Sequence, residues 1–175
     1  MSALASAMAS EMTGPPECLL DGPDPHHLAW REWGEPGSLD TEEGCFERRG
    51  VLDLIDALNG IEAPLAQGSI AVEATRALVA VDVNTGGDLS PAAGLKANLA
   101  AAKALPRQLR IRGLGGQITM DLAPLAKKDR RQFEQVLRSA FRFDPVDTAL
   151  VGWTPLGHFE LQRKRERLPL TEALR

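Results

Sequence analysis

Ala77-Leu-Val-Ala-Val-Asp-Val-Asn84 and its later counterpart Gln117-Ile-Thr-Met-Asp-Leu122 decide the fold. Each is a short, largely apolar run that reaches an aspartate at its end, which is the pattern of a strand emerging from a core. Between them Ser90-Pro91 opens a segment that repeats apolar residues at helical spacing: Leu95, Leu99, Ala102, Leu105 and Leu109. Ser90 suits the cap of that helix and Pro91 its first turn. The helix is expected through about Arg112, with Pro106 kinking or splitting it. The nearly continuous run Ala77–Val83 predicts a strand buried on both faces. The loosely alternating Ser69–Thr75 precedes it as the other half of a hairpin or bent strand.

Working outward, Gly113-Leu-Gly-Gly116 ends the first helix, and Lys127–Arg142 reads as a second with Phe133, Val136, Leu137, Ala140 and Phe141 on one face. Strands follow at Ala149–Trp153 and Gly157–Arg163, joined through Thr154-Pro155-Leu156. The order strand, strand, helix, strand, helix, strand, strand predicts an α/β (α+β layered) domain with a mixed sheet and two crossover helices. Upstream, Gly14-Pro15-Pro16, Gly22-Pro23-Asp24-Pro25 and Gly34-Glu35-Pro36-Gly37 break any regular pattern. Val51–Leu58 forms one short helix stopped by Gly60.

With 175 residues, 43% hydrophobic and 25% charged, the chain has the composition of a soluble globular domain. No apolar run approaches the roughly 20 residues of a membrane helix. Met1–Met12 carries no basic residue ahead of its apolar stretch and makes a poor signal peptide. Cys18 and Cys45 are too few for a disulfide framework, so the expected compartment is cytoplasmic. The net charge of −4 hides an asymmetry: residues 1–95 balance to −12 and residues 96–175 to +8. A basic half of this kind points to a polyanion partner.

The chemistry-bearing residues are Asp82 and Asp121. In an open α/β sheet the carboxyl ends of the strands face one crevice, where ligands bind. Two carboxylates there, with open positions left for water and phosphate, suit Mg²⁺. Asn84 stands two residues past Asp82, where it can orient a carboxylate. Asp88 reads as a solvated loop residue. Lys96, Lys103, Arg107 and Arg110 form a stripe on the first helix, and Lys128, Arg131, Arg138 and Arg142 one on the second. Alternation places Arg163 and Arg165 together on the last strand. Such stripes supply phosphate affinity without sequence preference. His26-His27 reads as an exposed loop pair, Trp30 and Trp33 as an anchor, His158 as structural, and Trp153 as core or sheet edge rather than a base platform. No Ser or Cys stands in an elbow motif with a His at hand.

Taken together, Ala77–Gly86, Leu95–Ala102, Gln108–Gly116, Gln117–Asp121 and Gly152–Gly157 running into Glu160–Arg165 resemble, in order and spacing, motifs of the ribonuclease E/G family. The resemblance runs from about Gly68 to Arg167. It implies a deoxyribonuclease-I-like catalytic subdomain of a Mg²⁺-dependent endoribonuclease that hydrolyses single-stranded RNA, leaving a 5′-phosphate and a 3′-hydroxyl. It implies that Asp82 and Asp121 hold Mg²⁺ and that Asn84 orients the first carboxylate. The expected organisation is an acidic leading segment over residues 1–60, a metal-binding catalytic domain over 61–170 and a tail over 171–175. The family's larger members carry an oligonucleotide-binding barrel, a 5′-end sensor and a Cys-Pro-x-Cys zinc link, none of which these residues include. The RNA clamp would then come from a homo-oligomer or a separate RNA-binding chain. Two other readings follow from the same residues: a non-catalytic RNA-binding or assembly module, and a small-molecule α/β enzyme.

Overall fold

The computed structural model describes residues 42–88 and 90–173. The chain divides into two compact units, one ending at Gly50 and one beginning at Val51. Of the first unit, the described part is a single turn of helix, α1 (Cys45–Arg48), with Arg48 bonded to the Glu43 carbonyl at 2.9 Å and to Glu42 Oε2 at 3.0 Å. His26, His27, Trp30, Trp33 and Cys18 lie outside the described residues.

The second unit runs α2 (Val51–Asn59), β1 (Glu62–Pro64), β2 (Ser69–Ala74), β3 (Val79–Asn84), α3 (Pro91–Ile111), β4 (Gly116–Asp121), a 3₁₀ turn (Lys127–Asp129), α4 (Arg130–Phe141), β5 (Thr148–Trp153), β6 (Phe159–Arg163) and α5 (Leu170–Ala173). Its six strands form one sheet in the order β1-β2-β3-β4-β6-β5. Only β3 and β4 pair in parallel; the other neighbours are antiparallel. The fold is therefore the mixed α/β sheet that the alternation of elements predicts. A parallel pair needs a long crossover, and α3 supplies it.

Side-chain alternation sorts the sheet into two unlike faces. Val79, Val81 and Val83 on β3, Ile118 and Met120 on β4, and Phe159 and Leu161 on β6 are buried in one cluster with Ala97, Ala101, Leu105 and Leu109 of α3 and Phe133 and Leu137 of α4. Each large apolar side chain removed from water in this way contributes about 1.5–3 kcal/mol. The residues between them face the other way and stay open: Asp82 and Asn84 on β3, Gln117 and Asp121 on β4. The expectation that β3 is buried on both faces is corrected here. Its outward position within the apolar run is Ala80, small enough to remain half-exposed.

Ser90 caps α3 as its position predicts, its hydroxyl accepting from Ala93 N at 3.2 Å, with Pro91 in the first turn. Pro106, however, does not divide the helix, which runs unbroken to Ile111. The missing backbone donor is outweighed because Pro106 itself is buried and Leu105 and Leu109 beside it have no exposed surface. The helix ends with Gly113 N donating to the Arg110 carbonyl and Leu114 N to that of Leu109, a Schellman closure.

Candidate active site

Asp82 and Asp121 are register partners on the parallel pair β3–β4. Adjacent strands lie about 4.8 Å apart and partnered residues point to the same side, so the two carboxylates stand side by side. Both are exposed, on the face of the sheet that carries no helix of this unit's core. Asn84 occupies the same face, and its Nδ2 donates to Asp82 Oδ2 at 2.7 Å. The structure thus brings together the three residues that the sequence singles out for chemistry.

The loop before β2 closes on the same corner. Gly68 has φ +75°, and a Cβ there would lie 1.8 Å from the Asn84 carbonyl oxygen, so only glycine permits the approach. On the other side Met120 pairs with Phe159, which leaves His158 beside Asp121. His158 Nδ1 is 3.3 Å from Asp121 Oδ1. That nitrogen is shielded from solvent and makes no aligned hydrogen bond, so the contact is a close approach rather than a bond. Thr154 holds the histidine's backbone by accepting from His158 N at 3.1 Å and donating its own N–H to the His158 carbonyl at 2.8 Å. His158 therefore belongs to this corner and not to the core.

Among the described residues, no Lys or Arg pairs with Asp82 or Asp121, and no three His, Cys, Asp or Glu gather as a cage for an ion. Two carboxylates and an amide are the donor set. That set fits a hard cation which keeps several waters, as Mg²⁺ does. Asp88 serves a different purpose: its Oδ1 accepts from Ser90 N at 2.9 Å at the entry to α3. That backbone bond, then the Ser90 hydroxyl, and last the Lys96 charge hold its carboxyl below the ordinary value.

The basic residues sort by position. Lys96, Lys103 and Arg107 are exposed along α3, which starts at the acids' end of the sheet and runs away from it. Lys128 and Arg131 are exposed just past β4. Arg163 is corrected outright. It pairs with Gly116 at the opposite end of β4, is 1% exposed, and donates to Asp144 Oδ1 at 2.9 Å and Thr148 Oγ1 at 2.7 Å. A guanidinium so enclosed does not meet a phosphate. Arg110 is half-buried and pairs with the other Asp144 oxygen. Arg165 lies beyond the end of β6 and is exposed, its guanidinium against Gly116. Trp153 packs with Phe133 and Phe159 at ring separations of 5.8 and 5.1 Å, under the Arg130 guanidinium at 4.2 Å. It is half-buried on the edge strand β5, packed against the core, which agrees with the reading as core or sheet edge.

Asn98, behind the site, and Asp144, at the other end of the sheet, escape a reading of the sequence. Asn98 has no exposed surface, and its amide bonds both backbone groups of Ala123, two residues past Asp121. The available signal is a lone asparagine within an Ala/Leu face. Asp144 gives none, since its two arginine partners are distant in sequence.

A mixed sheet with adjacent acids at the carboxyl ends of its one parallel pair defines an α/β domain with an open acidic corner. The chain belongs to the ribonuclease E/G family, whose model matches residues 37–166. It is 34% identical over 136 residues to "Ribonuclease G" of Salmonella typhimurium, covering 71% of this chain and 28% of that protein. Against a "Ribonuclease E/G-like protein, chloroplastic" of Arabidopsis thaliana the identity is 33% over 138 residues, 72% of this chain and 13% of the relative. With "Ribonuclease E" of Escherichia coli it is 36% over 112 residues, 61% and 10%. The chain spans less than a third of the length of these curated relatives.

Proposed function

We propose that this domain is the catalytic part of a Mg²⁺-dependent endoribonuclease acting on single-stranded RNA in RNA processing or decay. The single observation that supports it is the in-register, solvent-open pairing of Asp82 with Asp121. In this reading Asp82 and Asp121 hold Mg²⁺, and Asn84 fixes the rotamer of Asp82 through its 2.7 Å bond. When bound, Mg²⁺ supplies Lewis-acid stabilisation of charge on the phosphate and favours deprotonation of a water. The exposed Lys96, Lys128 and Arg131 neutralise phosphates of a strand led across this end of the sheet, and Lys103 and Arg107 extend the track along α3. The placement of Asp82 and Asp121 on strands, not loops, keeps their separation constant during the reaction.

Labelled single-stranded RNA incubated with the chain, with Mg²⁺ or with chelator, tests this reading. Cleavage is expected only with Mg²⁺, and Asp82→Asn or Asp121→Asn should reduce it roughly a hundredfold to a thousandfold without shifting the unfolding midpoint. Variants as active as wild type would end the proposal. Salt-dependent RNA binding with no Mg²⁺-stimulated cleavage at any protein concentration would identify an RNA-binding module instead.

A further inference from the structure

We propose that Asn98 is a positioning residue for the metal site, holding Asp121 at its working distance from Asp82; this rests on the reading of the two acids as Mg²⁺ ligands. Asn98 sits on the face of α3 that also presents Ala97, Ala101 and Ala102 to the core, and none of its surface is exposed. A buried amide in such surroundings is costly unless both its ends are bonded. Here both ends go to one residue: Oδ1 accepts from Ala123 N at 3.0 Å and Nδ2 donates to the Ala123 carbonyl at 2.9 Å. The side chain takes the place of a neighbouring strand at the point where β4 has ended at Asp121. The chain leaving that aspartate is therefore bound to the helix instead of fraying.

Gly94, four residues before Asn98 and on the same face, completes the seat. A Cβ there would lie 2.6 Å from the Pro124 carbonyl oxygen, so the loop rests directly on the helix backbone. The same helix also receives the segment that follows Asp82, since Asp88 and Ser90 form its entry. One helix thus binds the chain two residues past Asp121 and receives it eight residues past Asp82. The Asp121 side chain is 67% exposed and, among the described residues, His158 at 3.3 Å is its one polar contact, so the backbone is what holds it in place.

Four variants of the full chain separate this role from ordinary loop anchoring. Asn98→Asp preserves the shape and the acceptor but turns an oxygen toward the Ala123 carbonyl. Asn98→Leu removes both bonds, and Gly94→Ala displaces the same loop with Asn98 intact. Phe143→Ser, at an 86% exposed position beyond α4, serves as control. Affinity for Mn²⁺ alone is read by electron paramagnetic resonance, with Mg²⁺ competition, beside the metal-free unfolding midpoint and RNA affinity in chelator. Loss of a supporting partner of a metal ligand costs about 10–100-fold in metal affinity, and that loss is expected for Asn98→Asp and Gly94→Ala. RNA affinity in chelator should stay at the wild-type value. Folded variants that bind Mn²⁺ within twofold of wild type overturn the proposal and leave the metal reading standing. A wild-type chain that binds no Mn²⁺ at millimolar concentration overturns the metal reading and this proposal with it. If both Asn98 variants fail to fold, Gly94→Ala decides by the same measure.

Discussion

The two ends of the sheet treat aspartate in opposite ways. At the amino end of β4, Asp144 has no exposed side-chain surface, and its oxygens are bonded by Arg163, Arg110 and the Val146 N–H. At the carboxyl end, about 17 Å along the strand, Asp82 and Asp121 lie open and, among the described residues, without a Lys or Arg partner. Like charges directly opposite each other on neighbouring strands destabilise a sheet. The fold therefore spends its arginines on the buried acid and leaves the exposed pair uncompensated. A carboxylate satisfied by the protein is structural, and one left unsatisfied is free to take a cation from solution.

The largest effect expected from this contrast is on stability. Removing one member of a buried charge pair costs about 3–5 kcal/mol because the partner is left buried and unpaired. Asp144→Ala should lose that much in urea unfolding, while RNA cleavage per folded molecule is retained. Asp82→Asn should do the reverse, leaving the midpoint level as cleavage falls roughly a hundredfold to a thousandfold. Equal destabilisation by the two substitutions would erase the distinction between the ends.

The same contrast predicts how the basic residues behave. Arg163→Lys keeps the charge but loses the fork that reaches Asp144 and Thr148 together, so it should cost about 1–3 kcal/mol of stability. It should not alter the salt dependence of RNA binding. Lys128→Ala with Arg131→Ala should leave stability within about 0.5 kcal/mol. The pair should also lower the slope of log affinity against log salt by about 0.7 for each phosphate that is no longer neutralised. Because lysine keeps the charge, the slope is tested with Arg163→Ala, and a flatter slope per folded molecule would return that arginine to the RNA-facing set.

The same two ends differ in how far their residues are legible in the sequence. The two acids are readable because an apolar strand that ends in Asp, followed by a capped helix, fixes the side chain at the carboxyl end of a sheet by local pattern alone. Ser90-Pro91 announces the start of α3 for the same reason. Arg163 misleads because charge implies solvent until a partner is found, and that partner, Asp144, lies 19 residues away in sequence. Asn98 is silent because its meaning depends on Ala123, 25 residues on. The three-residue β1 carries too few side chains for a period to show. Pro106 does not split α3 because helix breaking is a local rule and burial overrides it.

A backbone perturbation sharpens the geometry at the open end. At Gly68 any Cβ meets the Asn84 carbonyl at 1.8 Å, and φ there is +75°. Gly68→Ala should therefore push the Asn84 segment away and break its 2.7 Å bond to Asp82. Misplacement by about 1 Å can lower a rate about a hundredfold, so cleavage should fall well beyond what the loss of folded protein explains. An unchanged rate per folded molecule would show that Asn84 does not hold Asp82 for the reaction.

The smallest effect concerns Asp88, which is exposed like Asp82 but bonded to the backbone at the entry to α3. The Ser90 backbone N–H, foremost, keeps the Asp88 carboxyl below its ordinary value, with the Ser90 hydroxyl and then Lys96 adding to it. A carboxylate depressed in the folded chain stabilises it at any pH above the unfolded value. That contribution is lost only as pH falls through the lower, folded value. The entry to α3 should then be indifferent to pH near neutrality and loosen only under acid. The Asp88 carboxyl carbon, followed by nuclear magnetic resonance, should titrate below an unstructured aspartate, and Ser90→Ala should move it up only in part. Ser90→Ala removes the hydroxyl and leaves the stronger backbone donor, whereas Lys96→Ala removes the weakest cause and should move the midpoint least. A larger shift from Lys96→Ala than from Ser90→Ala would mean that the basic stripe, not the helix cap, governs this acid.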